Sequence, residues 1–323
     1  MTRVLVTGGS GFLGSAVVAG LAEARGVEMV VSADVRESAK PRPDVEYVRL
    51  DVTDAGDLPA LLVDRRVDVV VHLASIVNPG ASTTVEQEYR VDVEGSRAVF
   101  AACLEAGVRR VVVSSSGAAY GYHADNPEWF VESDPLRGND DFPYSRHKRL
   151  VEEDLARLRD EHPTLEQVVF RIGTILGPAV RNQITALWEG RRILEVAGSA
   201  SPFVFVWVDD VVAAMVRAAT DGPAGIYNVA GDGRLTVREI AALLGKRTRR
   251  VPAWALAAAL AVAHTLRLTP HGPAQVAFLR YRPVLSNEAL RSRFGLVPSR
   301  TSRQAFLEYR RARWGVPLDA SMG

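Results

Sequence analysis

Cysteine is almost absent from this chain: Cys103 is the single one in 323 residues. One thiol excludes an internal disulfide framework and cannot by itself make a metal site, so core packing in a reducing cytoplasm is the plain expectation. Lysine is scarce too, only Lys40, Lys148 and Lys246, with arginine supplying the remaining positive charge. Where arginine serves for general charge, each surviving lysine invites a functional question. Charge of one sign is not in excess, the formal net charge being +1. That argues against a broad nucleic-acid or membrane-surface footprint and leaves only local basic patches open. Long hydrophobic runs are missing: the stretch from Val251 to Val262 is too short to cross a bilayer and contains Pro252. Apolar residues begin almost at Met1, so no signal peptide is expected.

What is present starts at once. Val4-Leu5-Val6 leads into Thr7-Gly8-Gly9-Ser10-Gly11-Phe12-Leu13-Gly14, followed by a stretch with helical periodicity. Strand, glycine turn and helix N-terminus in that order hold a dinucleotide pyrophosphate on main-chain N–H groups and the helix dipole. The acidic residue expected about twenty positions further on is Asp34, ending the run Met29 to Ala33. A carboxylate there accepts hydrogen bonds from the adenosine ribose and repels a 2′-phosphate, which argues for NAD; Arg36 keeps NADP open.

Apolar, β-branched runs recur at Val67 to Val71, Val111 to Val113 and Val168 to Ile172, separated by stretches of helical character. The pattern predicts an α/β fold, a Rossmann-type doubly wound parallel sheet. Ligands bind beyond the carboxyl ends of such strands. The glycine turn, Asp34, the turn His72-Leu73-Ala74-Ser75 and the cluster Ser114-Ser115-Ser116 all fall there. From about Gly177 proline and glycine become frequent and aromatic-rich stretches appear. We therefore expect residues 1–176 to form the dinucleotide-binding domain and 177–323 a smaller substrate lobe, with some segments returning to the sheet. In that lobe, Phe203 to Asp210 reads as a strand leading to a helix capped by an aspartate.

Tyr144 and Lys148 sit four apart just after Pro143, a residue favoured at a helix start, so both side chains should leave one face of the first turn. An ammonium beside a phenol stabilises phenolate, which makes Tyr144 a usable general acid or base. Ser116, at a strand end, offers a hydroxyl to the same substrate oxygen; Ser114 and Ser115 are expected to satisfy turn backbone.

With these motifs, and with Asp51-Val52, Tyr120-Gly121 and Arg171-Ile172-Gly173-Thr174-Ile175-Leu176-Gly177-Pro178, the chain resembles the extended short-chain dehydrogenases/reductases. That group includes nucleotide-sugar epimerases, dehydratases and 3β-hydroxysteroid dehydrogenases. The resemblance implies that Ser116 and Tyr144 bind the reacting oxygen, that Lys148 also holds the nicotinamide ribose, and that Asp51 and Val52 border the adenine. It extends the cofactor-binding set to Gly8, Ser10, Gly11, Phe12, Leu13, Gly14, Asp34, Arg36, Leu73, Ala74, Ser75 and Ser114, and it implies no metal. It suggests a homodimer through the helices around Glu94 to Ala106 and Tyr144 to Asp160. Asp92 stands where the family usually has an asparagine.

Two departures bear on the substrate. Thr174 replaces an asparagine usual in the nucleotide-sugar enzymes, and Phe203 aligns with an arginine that grips the diphosphate. With Tyr120, these two are the candidate substrate contacts. Phe203, Phe205 and Trp207 favour an apolar or aromatic substrate. The apolar segment Trp254 to Leu268 is similar to a hydrophobic helix of hydroxysteroid dehydrogenase relatives and is expected to line a pocket or complete the core. Arg181, Asn182, Arg191 and Arg192 are either surface charges or diphosphate contacts from another angle. The leading expectation is an NAD(P)-dependent oxidoreductase of the cytoplasm interconverting a secondary alcohol and a ketone on a small, fairly hydrophobic molecule, with no nucleic-acid or membrane partner. The alternative is a nucleotide-sugar epimerase or dehydratase with tightly bound NAD. A nucleotide-sensing regulator is disfavoured because Ser116, Tyr144 and Lys148 are all present.

Overall fold

Continuous β-branched runs pair side by side in the interior, and their order fixes where a ligand can bind. The computed structural model describes residues 1–80, 82–178, 180–266, 268–269 and 272–315. The first half runs β1 Thr2–Thr7, α1 Phe12–Glu23, β2 Val27–Asp34, β3 Glu46–Arg49, α2 Leu58–Asp64, β4 Val69–His72, α3 Val85–Tyr89, α4 Gly95–Glu105, β5 Arg110–Ser116, α5 Pro143–Glu161 and β6 Glu166–Ile172. It continues with β7 Thr174–Leu176, α6 Gln183–Ala186, β8 Arg192–Val196, β9 Phe205–Trp207, α7 Val208–Ala219, β10 Gly225–Val229 and α8 Val237–Leu243. The last elements are β11 Arg247–Val251, α9 Ala253–Thr265, α10 Gln275–Arg280, α11 Glu288–Ser292 and α12 Ser302–Trp314.

Seven strands form one parallel sheet in the order β10-β6-β5-β4-β1-β2-β3. The chain leaves β1 in opposite directions toward β2 and β4, and the crevice at that reversal is where open α/β sheets bind ligands. Because side chains alternate across a strand, Val4 and Val6 pack on one face with Val17, Leu21 and Val211, while Leu5, Val31 and Val70 pack on the other with Val99 and Phe100. Cys103 is fully buried on that second face. Two small sheets, β8 with β11 and β7 with β9, stand apart from the main one.

Four expectations are corrected. The three serines end β5 itself; Ser115, paired with Arg171, faces opposite to Ser114 and Ser116. No aspartate caps α7: Trp207 holds the cap position, Asp209 accepts from the Trp207 indole at 3.2 Å, and buried Asp210 accepts from the Ser299 amide at 2.8 Å. Phe203, Phe205 and Trp207 are buried and pack with Trp188, Phe306 and Tyr309 as a third core cluster. The segment expected to line a pocket or fill the core is α9, and none of its residues is buried.

Candidate active site

The glycine turn is closed to side chains. Gly8 has φ +70°, and a Cβ there would lie 2.7 Å from the Ala74 amide nitrogen; one on Gly14 would lie 2.0 Å from the Gly8 carbonyl oxygen. Leu73 and Ala74 thus approach through the Gly8 backbone, with the Leu73 amide bonded to the Thr7 carbonyl at 3.1 Å. Gly11 caps α1 and no side chain bonds to the first turn. The N–H groups of Phe12, Leu13 and Gly14 are therefore the orphan donors of a helix start, and with the dipole they fit a pyrophosphate. Asp34 is buried, its two oxygens accepting from the Ser10 and Arg36 amides at 3.0 Å each. The carboxylate thereby fixes the turn and keeps lone pairs for a ribose hydroxyl. Arg36 is exposed, 3.5 Å from Asp34, and its carbonyl accepts from the Ser10 hydroxyl at 2.9 Å. Asp51 accepts from the Thr53 amide and hydroxyl at 2.9 and 2.8 Å, while Val52 is buried against Gly95.

At the other side of the crevice, Pro143 opens α5 as the sequence predicts. Tyr144 is half-buried, and the Lys148 ammonium lies 5.7 Å from its ring centre. Lys148 is itself buried and donates to the Ser114 carbonyl at 3.1 Å. Ser116, partly exposed on the same sheet face as Ser114, accepts from the Ala118 amide at 3.2 Å, which leaves its proton free to be donated. Thr174 starts β7, its amide bonded to the Val204 carbonyl at 3.1 Å.

Tyr120 requires a correction. It is fully buried, and its hydroxyl meets Arg171 at 2.8 Å and Asn228 at 2.9 Å; burial pushes the phenol up to about 12. Arg171 in turn pairs with buried Glu152 at 2.8 Å, and Glu152 accepts from the Ser115 hydroxyl. This satisfied network braces β5 and β6 beneath the site and offers a ligand no atom.

A second buried network fixes the turn after β4. Thr7 Oγ1 meets His72 Nδ1 at 2.7 Å, and His72 Nε2 meets Ser96 Oγ at 2.9 Å. Ser96 spends its proton on the Asp92 carbonyl, so His72 carries its proton on Nε2 and Thr7 donates to Nδ1. Burial, then the charge of Lys148, push His72 down to about 3, so it stays neutral. Asp92 lies in a single π turn, Arg90–Glu94, ahead of α4. Its carboxylate accepts from the Ser75 hydroxyl and the Ile76 amide at 2.8 Å each, and faces His147 Nδ1 at 3.2 Å. Through His147, the neighbour of Lys148, it ties α5 to the nucleotide-side loop. The sequence offered Asp92 as a departure but gave no sign of His147.

Sequence reasoning also missed Arg282. This arginine follows α10, is buried, and its guanidinium centre lies 3.7 Å from the Phe203 ring centre and 4.8 Å from that of Phe278. Its Nη1 donates to the Ser201 carbonyl at 3.2 Å and to the Ser201 hydroxyl, while its Nε has no hydrogen-bond partner. No carboxylate among the described residues lies within ion-pair distance of it. Burial pulls the guanidinium below its ordinary range, the signature of a charge lacking a counter-ion. Ser201 holds it from a left-handed backbone, φ +47°, a strained conformation for a non-glycine residue. Phe278 stacks on Phe142, the cap of α5, and meets Tyr122 edge-on. Tyr122 is raised by burial and then by Tyr144, and lowered by Arg282. Phe203, expected as a substrate contact, is instead the buried floor under Arg282. Asn182 is occupied in capping α6, and Arg181, Arg191 and Arg192 are exposed.

Comparison with known proteins agrees with this architecture. The sequence model of the NAD dependent epimerase/dehydratase family matches residues 4–230. A UDP-glucose 4-epimerase of Mycolicibacterium smegmatis is 31% identical over 258 residues, 74% of this chain and 80% of that protein. An uncharacterized protein of Mycobacterium tuberculosis is 26% identical over 323 residues, 98% of this chain and 85% of that one. The crystal structure of Thermus thermophilus UDP-glucose 4-epimerase in complex with NAD superposes with a TM-score of 0.73 at 26% identity, covering 98% of this chain and 100% of that one. A family match over most of the chain, on a sheet whose switch point carries the glycine turn and whose fifth strand faces Tyr144 and Lys148, makes this chain a member of the NAD dependent epimerase/dehydratase family.

Proposed function

We propose that the protein is an NAD-dependent epimerase acting on a nucleoside-diphosphate sugar. The observation that carries this reading is Arg282, a buried cation with no carboxylate partner, which packs over Phe278, itself stacked on Phe142 at the start of the helix that carries Tyr144. A cation left unpaired in the interior is costly unless an anion completes it, and a diphosphate matches the guanidinium fork. The expectation of a hydrophobic substrate rested on the missing arginine at position 203 together with the rings of Phe203, Phe205 and Trp207, and all three rings are core residues. The relatives named above whose activity is stated act on UDP-glucose.

The first turn of α1 binds the NAD pyrophosphate, Asp34 the adenosine ribose, and Lys148 the nicotinamide ribose. Bound NAD supplies a hydride acceptor at one sugar carbon and returns the hydride to that carbon. Tyr144, with the Lys148 ammonium 5.7 Å from its ring centre, removes the hydroxyl proton as general base during oxidation and gives it back as general acid during reduction. Ser116 donates a hydrogen bond to the same oxygen and stabilises the charge that develops on it. Arg282 anchors the diphosphate, so the sugar can turn its other face while the product of the first half-reaction stays bound. Epimerisation is favoured over dehydration because the turn after Ser116 reads Gly117-Ala118-Ala119 and adds no acid or base for removing water.

The test is incubation with UDP-glucose or UDP-galactose, without added NAD, followed by proton NMR of the sugar. Interconversion that stops in Tyr144→Phe supports the reading; net formation of a ketone that requires added NAD refutes it. The family resemblance further supports a homodimer through α4 and α5, which sedimentation velocity would read as twice the chain mass.

A further inference from the structure

Single apolar side chains on a surface need no explanation, but a contiguous apolar stripe does. On α9 the exposed residues Trp254, Ala258 and Val262 recur every four positions, and Leu266 at the helix cap extends them. Trp254 is 77% exposed, Val262 60% and Leu266 62%, with Leu268 at 76% just beyond. From Pro252 to Leu266 the chain has no Asp, Glu, Lys or Arg. The helix has 13 residues, about 20 Å of rise at 1.5 Å per residue, too short for a hydrocarbon core of roughly 30 Å. Such a helix can lie on a bilayer but not span it.

The strand that feeds α9 is basic. Arg247 pairs with Arg192 across the β11–β8 ribbon, and Arg249 with Leu194. Pleating therefore puts Arg192, Arg247 and Arg249 on one ribbon face, opposite buried Ile193 and Glu195. All three arginines are exposed, and none has a carboxylate within ion-pair distance among the described residues. A second copy docked on this surface across a two-fold axis would set these arginines against themselves. An anionic headgroup layer neutralises them, while tryptophan and aliphatic side chains suit the boundary between headgroups and acyl chains.

We propose that the exposed stripe of α9 and the arginine face of the β8–β11 ribbon together form a docking surface for an anionic lipid bilayer. The docked protein lies on the membrane, with the apolar stripe at the acyl boundary and Arg192, Arg247 and Arg249 among lipid phosphates. This surface is independent of the reaction proposed above.

The test is co-sedimentation of the full-length protein with vesicles of phosphatidylcholine alone or mixed with phosphatidylglycerol. The expected result is binding to the mixed vesicles only, weakened by salt. Each near-surface arginine is worth about 1 kcal/mol, so Arg247→Gln with Arg249→Gln should lower the partition coefficient about thirtyfold at low salt. Val262→Glu should lower it about tenfold or more by removing apolar burial. These substitutions are at exposed positions, and an unchanged melting temperature verifies the fold. Failure of the wild-type protein to sediment with either vesicle overturns the proposal, as does binding that neither variant weakens. If Val262→Glu instead converts a dimer to a monomer in sedimentation velocity and the wild type ignores vesicles, a second copy covers the stripe and the proposal is wrong.

Discussion

Replacing Arg282 with methionine should weaken ligand binding without weakening the fold. Methionine keeps the length and apolar stem but removes the charge that Ser201, Phe203 and Phe278 enclose. In the free protein that charge has no counter-ion, and exchanging a buried charge for an apolar group of similar volume is often neutral or stabilising by about 1–4 kcal/mol. The lost bonds to Ser201 and the ring contacts offset part of that gain, so the melting temperature of the free variant should hold or rise by a few degrees. Binding is different. A charge-assisted hydrogen bond contributes about 1.5–3 kcal/mol, so losing the diphosphate contact should raise the Kd for UDP roughly 100-fold. Differential scanning fluorimetry with and without UDP, together with calorimetric titration, reads both quantities on one sample. Wild-type protein should show a clear UDP-induced rise in melting temperature and Arg282→Met almost none. A free variant that melts much lower, with the UDP-induced rise unchanged, would mean that Arg282 is only a structural brace.

Other expectations follow from the same contacts. Tyr144→Phe removes the proton carrier and leaves the nucleotide crevice intact, so turnover should fall about 100-fold or more while the bound NAD content measured after denaturation is unchanged. Gly14→Ala places a Cβ 2.0 Å from the Gly8 carbonyl oxygen, and purified variant protein should carry little NAD and melt below wild type. Burial pushes the Cys103 thiol up to about 12. Only the thiolate reacts, and an ordinary thiol of pKa about 8.5 is largely ionised at pH 9. Ellman's reagent at pH 9 should therefore leave the native protein untouched and titrate one thiol per chain once guanidinium is added.

The parts legible in the sequence are those decided by local chemistry. A glycine turn needs glycine wherever it occurs, Pro143 sets a helix start regardless of its neighbours, and Val-rich runs enter a parallel sheet because both faces are covered. Strands β3 and β10 escaped notice for the opposite reason. Glu46-Tyr47-Val48-Arg49 is an edge strand without an apolar run, and Gly225 to Val229 carries the buried Asn228 next to its end. Arg282 was unreadable because, in an arginine-rich chain, only tertiary packing separates a buried guanidinium from a solvated one. The apolar character of α9 was plain, but its exposure depends on what packs against it. The aromatic run from Phe203 to Trp207 invited a substrate-binding reading because a sequence cannot distinguish a ring that faces a cleft from one that floors it.

The claim on which most depends is that oxidation and reduction occur on one substrate, with NAD retained throughout. The direct measurement is to dialyse the purified protein exhaustively, denature part of it and quantify the released NAD and NADH, then assay the remainder on UDP-sugars with no cofactor added. Close to one dinucleotide per chain and full turnover without supplementation are expected. A protein that emerges empty, and turns over only when NAD is supplied in proportion to product, would contradict the claim.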